Sequence, residues 1–317
     1  MPTKIIINPQ DIERIVASNP APASNALAYF TSRPCKNTCY AAVRDIQEQT
    51  GNIPVIRRGD EGYRPKASAS VAVIEPMPIE IDDSFTAVEL DDYERSTAQG
   101  RQQMIDDKLQ QHLKIIRNTT RALAIQAHTG KIDYMMQSGG SLVRYEVDFG
   151  KVGAIASNVS MASLTIADLI TSMNDAIDSM ATENVGGPVE FIASRDLFTA
   201  IVNAAANQKA YAISAAPGSI TIGGFTVLMD NDSYTDVVSG AKKTKGMLDK
   251  KQLLARATQA GQMMPYYKID DVIMRQAVPF YSFAKDREDQ RGVNIYTKSK
   301  PLPLINPKGI VITTFKA

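Results

Sequence analysis

The sequence contains no tryptophan, only two histidines and only two cysteines among its 317 residues. Two histidines leave few candidates for acid–base catalysis or for metal binding. Two cysteines are too few for a disulfide framework, and they cannot by themselves supply the four ligands of a tetrahedral zinc site. We therefore interpret Cys35 and Cys39 as plain thiols, with a redox or metal role as the less favoured alternative.

Long apolar runs and an excess of one charge are also missing. No apolar run approaches the roughly 18 residues of a membrane-spanning helix, and residues 1–7 are too short for the apolar core of a signal peptide. The chain has 35 basic and 34 acidic residues, whereas a bulk polyanion binder is usually far more basic. Hydrophobic residues make up 44% of the chain, which is typical of a globular protein, and we expect synthesis in a cytoplasm.

The catalytic patterns that we can test are absent. Neither G-x-x-x-x-G-K-[ST] nor G-x-G-x-x-G occurs, so no phosphate-binding loop is indicated. His112 and His128 lie on one predicted helix about 160° apart around its axis, so we expect exposed or interface histidines rather than a shared ligand site. The run that starts at Asp230 resembles a calcium loop but has Thr235 and Ala241 where glycine and glutamate are needed. We expect no catalytic residue, no cofactor and no metal.

The strongest local pattern lies in residues 91–130. Apolar residues recur there at helical spacings: Ile105, Leu109, Leu113, Ile116, Leu123 and Ala127. This stripe predicts one long helix, about 99–129, that ends before Gly130. At 1.5 Å per residue the helix would be about 40 Å long, which exceeds the diameter of a small domain, so we expect a spine rather than one packing unit.

Residues 53–88 favour a long hairpin. A strand-like run at 53–56 precedes a polar cluster at 57–62, and a second strand-like run at 68–75 continues through Pro76 and Pro78 into 79–81. Proline cannot donate to a sheet ladder, so these strands should be edge strands or should project outward. Because an isolated hairpin is marginal in water, we expect this one to need a neighbour.

The rest of the chain predicts an α+β fold. Between about 165 and 275 a helix at 166–182, a strand at 189–193, a helix at 195–206 and a hairpin around Gly223 and Gly224 follow one another. Strand-like runs return at 294–297 and 310–315.

Charge is segregated along the chain. From Glu75 to Asp107 there are ten acidic and two basic residues, whereas from Lys242 to Arg256 there are six basic residues and one acidic residue. Opposite patches on identical subunits attract, so this pattern is compatible with self-association, although two ordinary solvated surfaces are an open alternative.

The order of these parts resembles the lambda-type major capsid protein E family of tailed bacteriophages, which has the Hong Kong 97 fold. The resemblance rests on stretches spread over nearly the whole chain: Arg58–Gly62 in the hairpin, Gln110–Ala127 followed by His128–Ile132, Tyr145–Gly150, and Thr297–Leu304 followed by Ile310–Ile312. The long segment before the hairpin and the lysine-rich run 242–251 depart from the family pattern.

The resemblance implies a shell subunit rather than an enzyme. It implies an N-terminal arm (1–51), an extended E-loop hairpin (52–88), a peripheral domain with the spine helix (89–160), an axial domain (161–275) and strands that return to the peripheral domain (276–317). It also implies hexamers and pentamers that form an icosahedral head around packaged double-stranded DNA. The expected partners are other copies of the chain, a separate scaffolding protein because no fused scaffolding segment precedes the arm, a portal and, as an open question, a decoration protein.

The charged segments supply the candidate site residues. We expect contacts between subunits to use Arg57, Arg58, Arg64, Lys66, Asp82, Asp83, Asp91 and Asp92. We expect weak, non-specific DNA contact through Lys4, Arg14, Lys242, Lys243, Lys245, Lys250 and Lys251. An encapsulin-like bacterial compartment and, less favoured, an uncharacterised cytoplasmic α+β enzyme are the alternatives.

Overall fold

The structure is a computed structural model that describes residues 5–42, 73–206, 208, 211–238, 241–269, 271, 275–286 and 293–316. Its α-helices are α1 (Pro9–Ser18), α2 (Asn25–Ala28), α3 (Ala87–Arg95), α4 (Ala98–Ala127), α5 (Ile166–Thr182) and α6 (Arg195–Ala206). Its strands are β1 (Cys35–Lys36), β2 (Ala41–Ala42), β3 (Val73–Ile74), β4 (Ile79–Phe85), β5 (Lys131–Ser138), β6 (Ser141–Asp148), β7 (Gly153–Ser160), β8 (Val189–Ala193), β9 (Ile213–Ala216), β10 (Ser219–Ile222), β11 (Phe225–Met229), β12 (Ser233–Val238), β13 (Ala241–Gly246), β14 (Gln252–Ala257), β15 (Tyr266–Tyr267), β16 (Tyr281–Asp286), β17 (Val293–Ser299) and β18 (Ile310–Lys316).

Helix α4 confirms the predicted spine. The Thr97 side chain accepts a hydrogen bond from Gly100 N–H and caps the first turn, and the apolar stripe from Ile105 to Ala127 is buried. At its end Gly130 has φ +86°, and an added Cβ there would clash with the carbonyl oxygen of Gly150. Glycine therefore allows the chain to leave the helix and enter β5 directly.

The largest sheet among the described residues has seven strands in the order β7-β18-β14-β8-β11-β10-β9. Helices α5 and α6, strand β8 and the β10–β11 hairpin confirm the predicted α+β region, and α5 and α6 pack against the sheet over a core that includes Leu169, Leu197 and Phe191. The C-terminal strand β18 also belongs to this sheet. It pairs antiparallel with β14 and parallel with β7, which lies in the segment 89–160.

A three-stranded sheet with the order β16-β17-β4 packs with the first half of the spine and with α1. Strand β4 is an edge strand, as the prolines before it predicted, and it pairs antiparallel with β17. Residues 79–85 of the predicted hairpin segment are therefore part of this sheet. The segment 43–72, with the tip of the predicted hairpin, lies outside the described residues.

Both histidines are buried, which corrects the expectation that they lie at the surface. His112 is 2% exposed and His128 is 1% exposed. Their azimuths on α4 diverge as expected, but the spine is covered on several sides: β4 and β17 enclose His112, and the rings of Tyr29 and Phe30 pack against His128.

Candidate assembly surfaces

The acidic stretch forms β4 and α3. Helix α3 begins at a capping box, in which the Thr86 hydroxyl accepts from Glu89 N–H and the Glu89 carboxylate accepts from Thr86 N–H. This cap sets the direction of α3, whose residues Asp91 and Asp92 are exposed, and Asp82 is exposed on β4. The sequence-predicted residues Asp82, Asp91 and Asp92 thus lie on the surface of one strand–helix unit.

Asp83 is only half-buried, but it is engaged within the subunit. Lys108 Nζ lies 3.2 Å from Asp83 Oδ2 and 3.3 Å from Glu89 Oε1. His112 Nε2–H donates to Asp83 Oδ2 at 3.3 Å, which leaves His112 Nδ1 to accept from the Thr297 hydroxyl at 2.8 Å. Burial alone would raise the pKa of Asp83, but the hydrogen bonds from Lys108 and the Ser84 N–H outweigh it and hold that pKa below its usual value. Asp83 therefore fastens β4 to the spine.

The basic candidates fall into four groups. Arg14 pairs with Asp106 at 2.8 Å and Lys245 pairs with Asp236 at 2.9 Å, so both cations have partners within the subunit although their side chains are exposed. Lys242 and Lys243 are exposed on β13, and Lys250 is exposed 4.0 Å from Asp196. Lys251 is half-buried. Lys4 and the four hairpin cations Arg57, Arg58, Arg64 and Lys66 lie outside the described residues.

An ion cluster that sequence reasoning missed joins the β5–β6 and β12–β13 hairpins. Arg144 on β6 contacts Asp133 at 2.6 Å and Asp236 at 3.1 Å, and Asp236 has no solvent exposure. Burial alone would raise the pKa of Asp236, but hydrogen bonds from Arg144 and Lys245 outweigh it and lower that pKa. The cluster joins two hairpins, each of which would be only marginally stable alone. Leu142 is exposed near the tip of the β5–β6 hairpin.

A second ion cluster that sequence reasoning missed joins the N-terminal segment to the spine helix and to the seven-stranded sheet. The Arg256 guanidinium, 1% exposed, donates to Glu190 Oε2 at 3.0 and 2.8 Å and to the Asn25 carbonyl oxygen at 2.9 Å. It also donates to His128 Nε2 at 3.0 Å, and His128 Nδ1–H donates to the Ala124 carbonyl oxygen at 2.7 Å. Burial, with the nearby Arg256 charge, lowers the pKa of His128 to about 3. The His128 imidazole therefore stays neutral, and its two hydrogen bonds hold the C-terminal end of the spine helix in place.

A cleft of about 670 Å³ lies between the spine and the N-terminal segment. Its lining includes Pro20 and Pro22 on one wall and Asp107, Lys114, Arg117 and Arg121 on α4. A second depression of about 320 Å³ shares Asn118 and Arg121 with it. The Arg117 guanidinium donates to the Asn19 and Val16 carbonyl oxygens and so fixes the N-terminal wall.

The described residues contain no group of three or more His, Cys, Asp or Glu side chains that could hold a metal ion. Over the same ranges, no helix is both long and apolar enough to cross a membrane. What the geometry offers is a rigid subunit frame with charged surfaces, which can bind other macromolecules.

Comparison with known proteins decides the family. The model of the phage major capsid protein E family matches residues 17–315. The chain belongs to this family. It is therefore a capsid protein that forms a shell, a structural rather than a catalytic protein, and its place is the virion.

Solved structures agree on the fold of this capsid protein. A prophage protein of E. coli CFT073 assigned as a capsid protein has a TM-score of 0.66 at 15% identity, over 98% of this chain and all of that one. A phage-related protein from Bordetella bronchiseptica RB50 has a TM-score of 0.51 at 8% identity, over 98% of each chain. An encapsulin complex from Synechococcus elongatus PCC 7942 reaches only 0.48 at 9% identity, over 98% of this chain and 96% of that one, too low to carry an argument. No curated protein sequence matches significantly.

The family membership confirms the resemblance and the α+β capsid fold inferred from the sequence. The clusters around Asp83, Asp236 and Arg256 could not be found from sequence, because nothing local distinguishes these residues from solvated charges. Their partners lie as far as 92 residues away for Arg144 and Asp236, and 231 residues away for Arg256 and Asn25.

Proposed function

We propose that this capsid protein assembles into hexamers and pentamers that close an icosahedral head around packaged double-stranded DNA. The observation that carries the proposal is the family match over residues 17–315. In keeping with the sequence expectation, residues 1–51 act as the arm, 52–88 as the extended loop, 89–160 as the peripheral domain and 161–275 as the axial domain. Residues 276–317 return to the peripheral domain. Synthesis and assembly take place in the host cytoplasm.

Size-exclusion chromatography followed by electron microscopy of the purified chain tests this proposal. We expect capsomers, shells or shell fragments with five- and six-fold rings. A stable monomer at concentrations far above micromolar would contradict it. Portal and DNA-packaging genes beside the gene for this chain would separate a phage head from an encapsulin-like compartment.

We also propose which surfaces meet. Arg57, Arg58, Arg64 and Lys66 of one subunit contact the acidic strand–helix unit of its neighbour. Support comes from the exposed positions of Asp82, Asp91 and Asp92, whereas Asp83 is engaged with Lys108 and His112 and contributes through the position of β4. This contact would join two different surfaces of identical subunits and is therefore heterologous. Heterologous contacts close into rings when the rotation between subunits allows it.

The remaining partners complete the proposal. A separate scaffolding protein guides closure, a portal occupies one vertex, and a decoration protein is an open question. If the chain expressed alone formed only uniform shells of the correct size, no scaffolding protein would be needed. Packaged DNA meets the exposed Lys242, Lys243 and Lys250 weakly, with Lys251 partly available at the edge of that patch. The pairing of Arg14 with Asp106, and of Lys245 with Asp236, reduces what those two residues contribute.

A further inference from the structure

The cleft between the spine and the N-terminal segment has the properties of a binding groove. One wall is partly apolar, with Pro20 and Pro22, and the spine wall carries Leu113 and the cations Lys114, Arg117 and Arg121. Lys114 is exposed, whereas Arg117 and Arg121 are half-buried.

The ligand chemistry that fits is a short apolar and acidic protein surface. Three cations are too few to hold a polyanion tightly at physiological salt, because affinity follows the number of neutralised phosphates. Carboxylates beside one apolar side chain match both the cationic spine wall and the proline-lined wall.

Helix α3 carries such a surface. Val88 is 71% exposed, and Asp91 and Asp92 follow it at i+3 and i+4, so the three residues lie on one helix face. Arg95 continues the same face one turn later and reaches Asp91 at 3.0 Å.

We propose that the groove of one subunit binds helix α3 of a second copy, with Asp91 and Asp92 facing Lys114 and with Arg95 facing Asp107. The contact is heterologous, because groove and α3 are different surfaces of the same chain, and it can therefore repeat around a ring. It rests on the proposed self-assembly and deepens it: α3 is assigned to the groove, which leaves Asp82 on β4 as the acidic partner for the hairpin arginines.

Charge reversal with rescue tests the pairing. Lys114→Glu with Asn118→Asp changes two exposed groove positions, and Asp91→Lys with Asp92→Lys reverses the α3 face. We expect each pair alone to lower the yield of capsomers and shells at least tenfold at low salt with unchanged circular dichroism, and the four changes together to restore the yield to within about threefold. Asp175→Lys with Asp178→Lys, on the exposed face of α5, is the matched control and should leave the yield unchanged.

A cross-linking arm separates this contact from shell closure. Asp92→Cys with Lys114→Cys should give a ladder of disulfide-linked multimers under mild oxidation, and neither single variant, nor the parent with Cys35 and Cys39, should do so. Disulfide-linked multimers without shells would support the contact and contradict the proposal of a closed head. Shells without a ladder would overturn the α3 assignment, as would a failure of the combined charge variant to recover. Normal assembly of the groove variant with reduced DNA retention would make the groove a nucleic-acid site instead.

Discussion

At the scale of single residues, three charge clusters distinguish this subunit from a generic α+β body. Asp83, Asp236 and Arg256 each hold together segments that are distant in sequence. Asp236 and Arg256 are fully buried, and a buried charge is stable only when it is paired and hydrogen-bonded, so removing a partner of either is far more costly than removing a surface ion pair. The clusters set the positions of the elements that carry the candidate assembly surfaces.

His128 makes the free energy of unfolding depend on pH. Its folded-state pKa is about 3, whereas the unfolded chain takes up that proton near pH 6.5. As pH falls below about 6.5 the unfolded state binds a proton that the folded state does not, so stability decreases, and the loss continues until pH reaches the folded-state pKa. His112, whose pKa is also lowered by burial, acts in the same direction.

We therefore expect His128→Gln to flatten the stability profile between pH 7.5 and 5.5 by up to about 1.4 kcal/mol per pH unit. Urea denaturation at three pH values measures the slope. His112→Gln is the companion variant, and its effect should be additive because the two sites do not contact each other. An unchanged slope in both variants would mean that neither histidine is held neutral by the fold.

At the scale of elements, the spine helix is the frame on which the other elements depend. It packs with α1 and the three-stranded sheet along its first half and with α2 and the loop before β18 along its second half. Its length and apolar stripe are properties of the local sequence, whereas its exit into β5 depends on one glycine with a left-handed backbone.

Gly130→Ala should separate backbone strain from steric clash at that exit. Gly130 has φ +86° and faces the Gly150 carbonyl oxygen, whereas Gly139, at the tip of the β5–β6 hairpin, has φ +56° and open space. We expect Gly139→Ala to cost about 1 kcal/mol and Gly130→Ala clearly more, roughly 3 kcal/mol or above. Gly186→Ala, with open space and no left-handed backbone, is the control, and thermal unfolding of the three variants measures the order. Equal losses at 130 and 139 would contradict the clash.

At the scale of the whole molecule, near-neutrality combines with segregated charge. A net charge of +1 avoids strong repulsion between many copies in one shell, while local patches of opposite sign can still orient them. A surface ion pair contributes only about 0.2–1 kcal/mol, so one such contact has little effect on the folding of a subunit. Its effect on assembly becomes large only because every subunit of the shell repeats it.

Arg57→Glu with Arg58→Glu should leave a folded subunit with normal helix content but abolish or misdirect assembly. The effect should be greater at low salt, where repulsion from the neighbour's acidic strand–helix unit is less screened. Electron microscopy and sedimentation at two salt concentrations measure it. Lys151→Glu with Lys285→Glu makes the same change in charge at exposed positions elsewhere and should assemble normally. Normal assembly of the arginine variant at low salt would show that these arginines are ordinary solvated residues.

Isolated subunits should bind duplex DNA weakly and without sequence preference. The candidate contact uses three exposed lysines, Lys242, Lys243 and Lys250, and the affinity should fall with salt because binding releases counterions. Fluorescence anisotropy with two unrelated duplexes measures both properties. Nanomolar, sequence-dependent binding at physiological salt would contradict the prediction, and Lys242→Gln with Lys243→Gln should lower the salt slope if these lysines carry the contact.

The sequence by itself determined the elements whose signal is local. The apolar stripe from Ile105 to Ala127 predicts α4 within two residues at each end, and the glycine pair at 223–224 predicts the β10–β11 hairpin. The order of these elements also carried the family resemblance, which the family model confirms over residues 17–315.

Only the tertiary structure decided how these elements meet and which charges remain available. It placed β18 beside β14 and β4 beside β17, it buried both histidines, and it paired Asp83 with Lys108 and His112 while Asp82 stayed exposed. The period of two along a strand puts adjacent aspartates on opposite faces, but which face is covered depends on Lys108 and His112 on another element. Such choices rest on burial and pairing over long sequence separations, which no local pattern encodes.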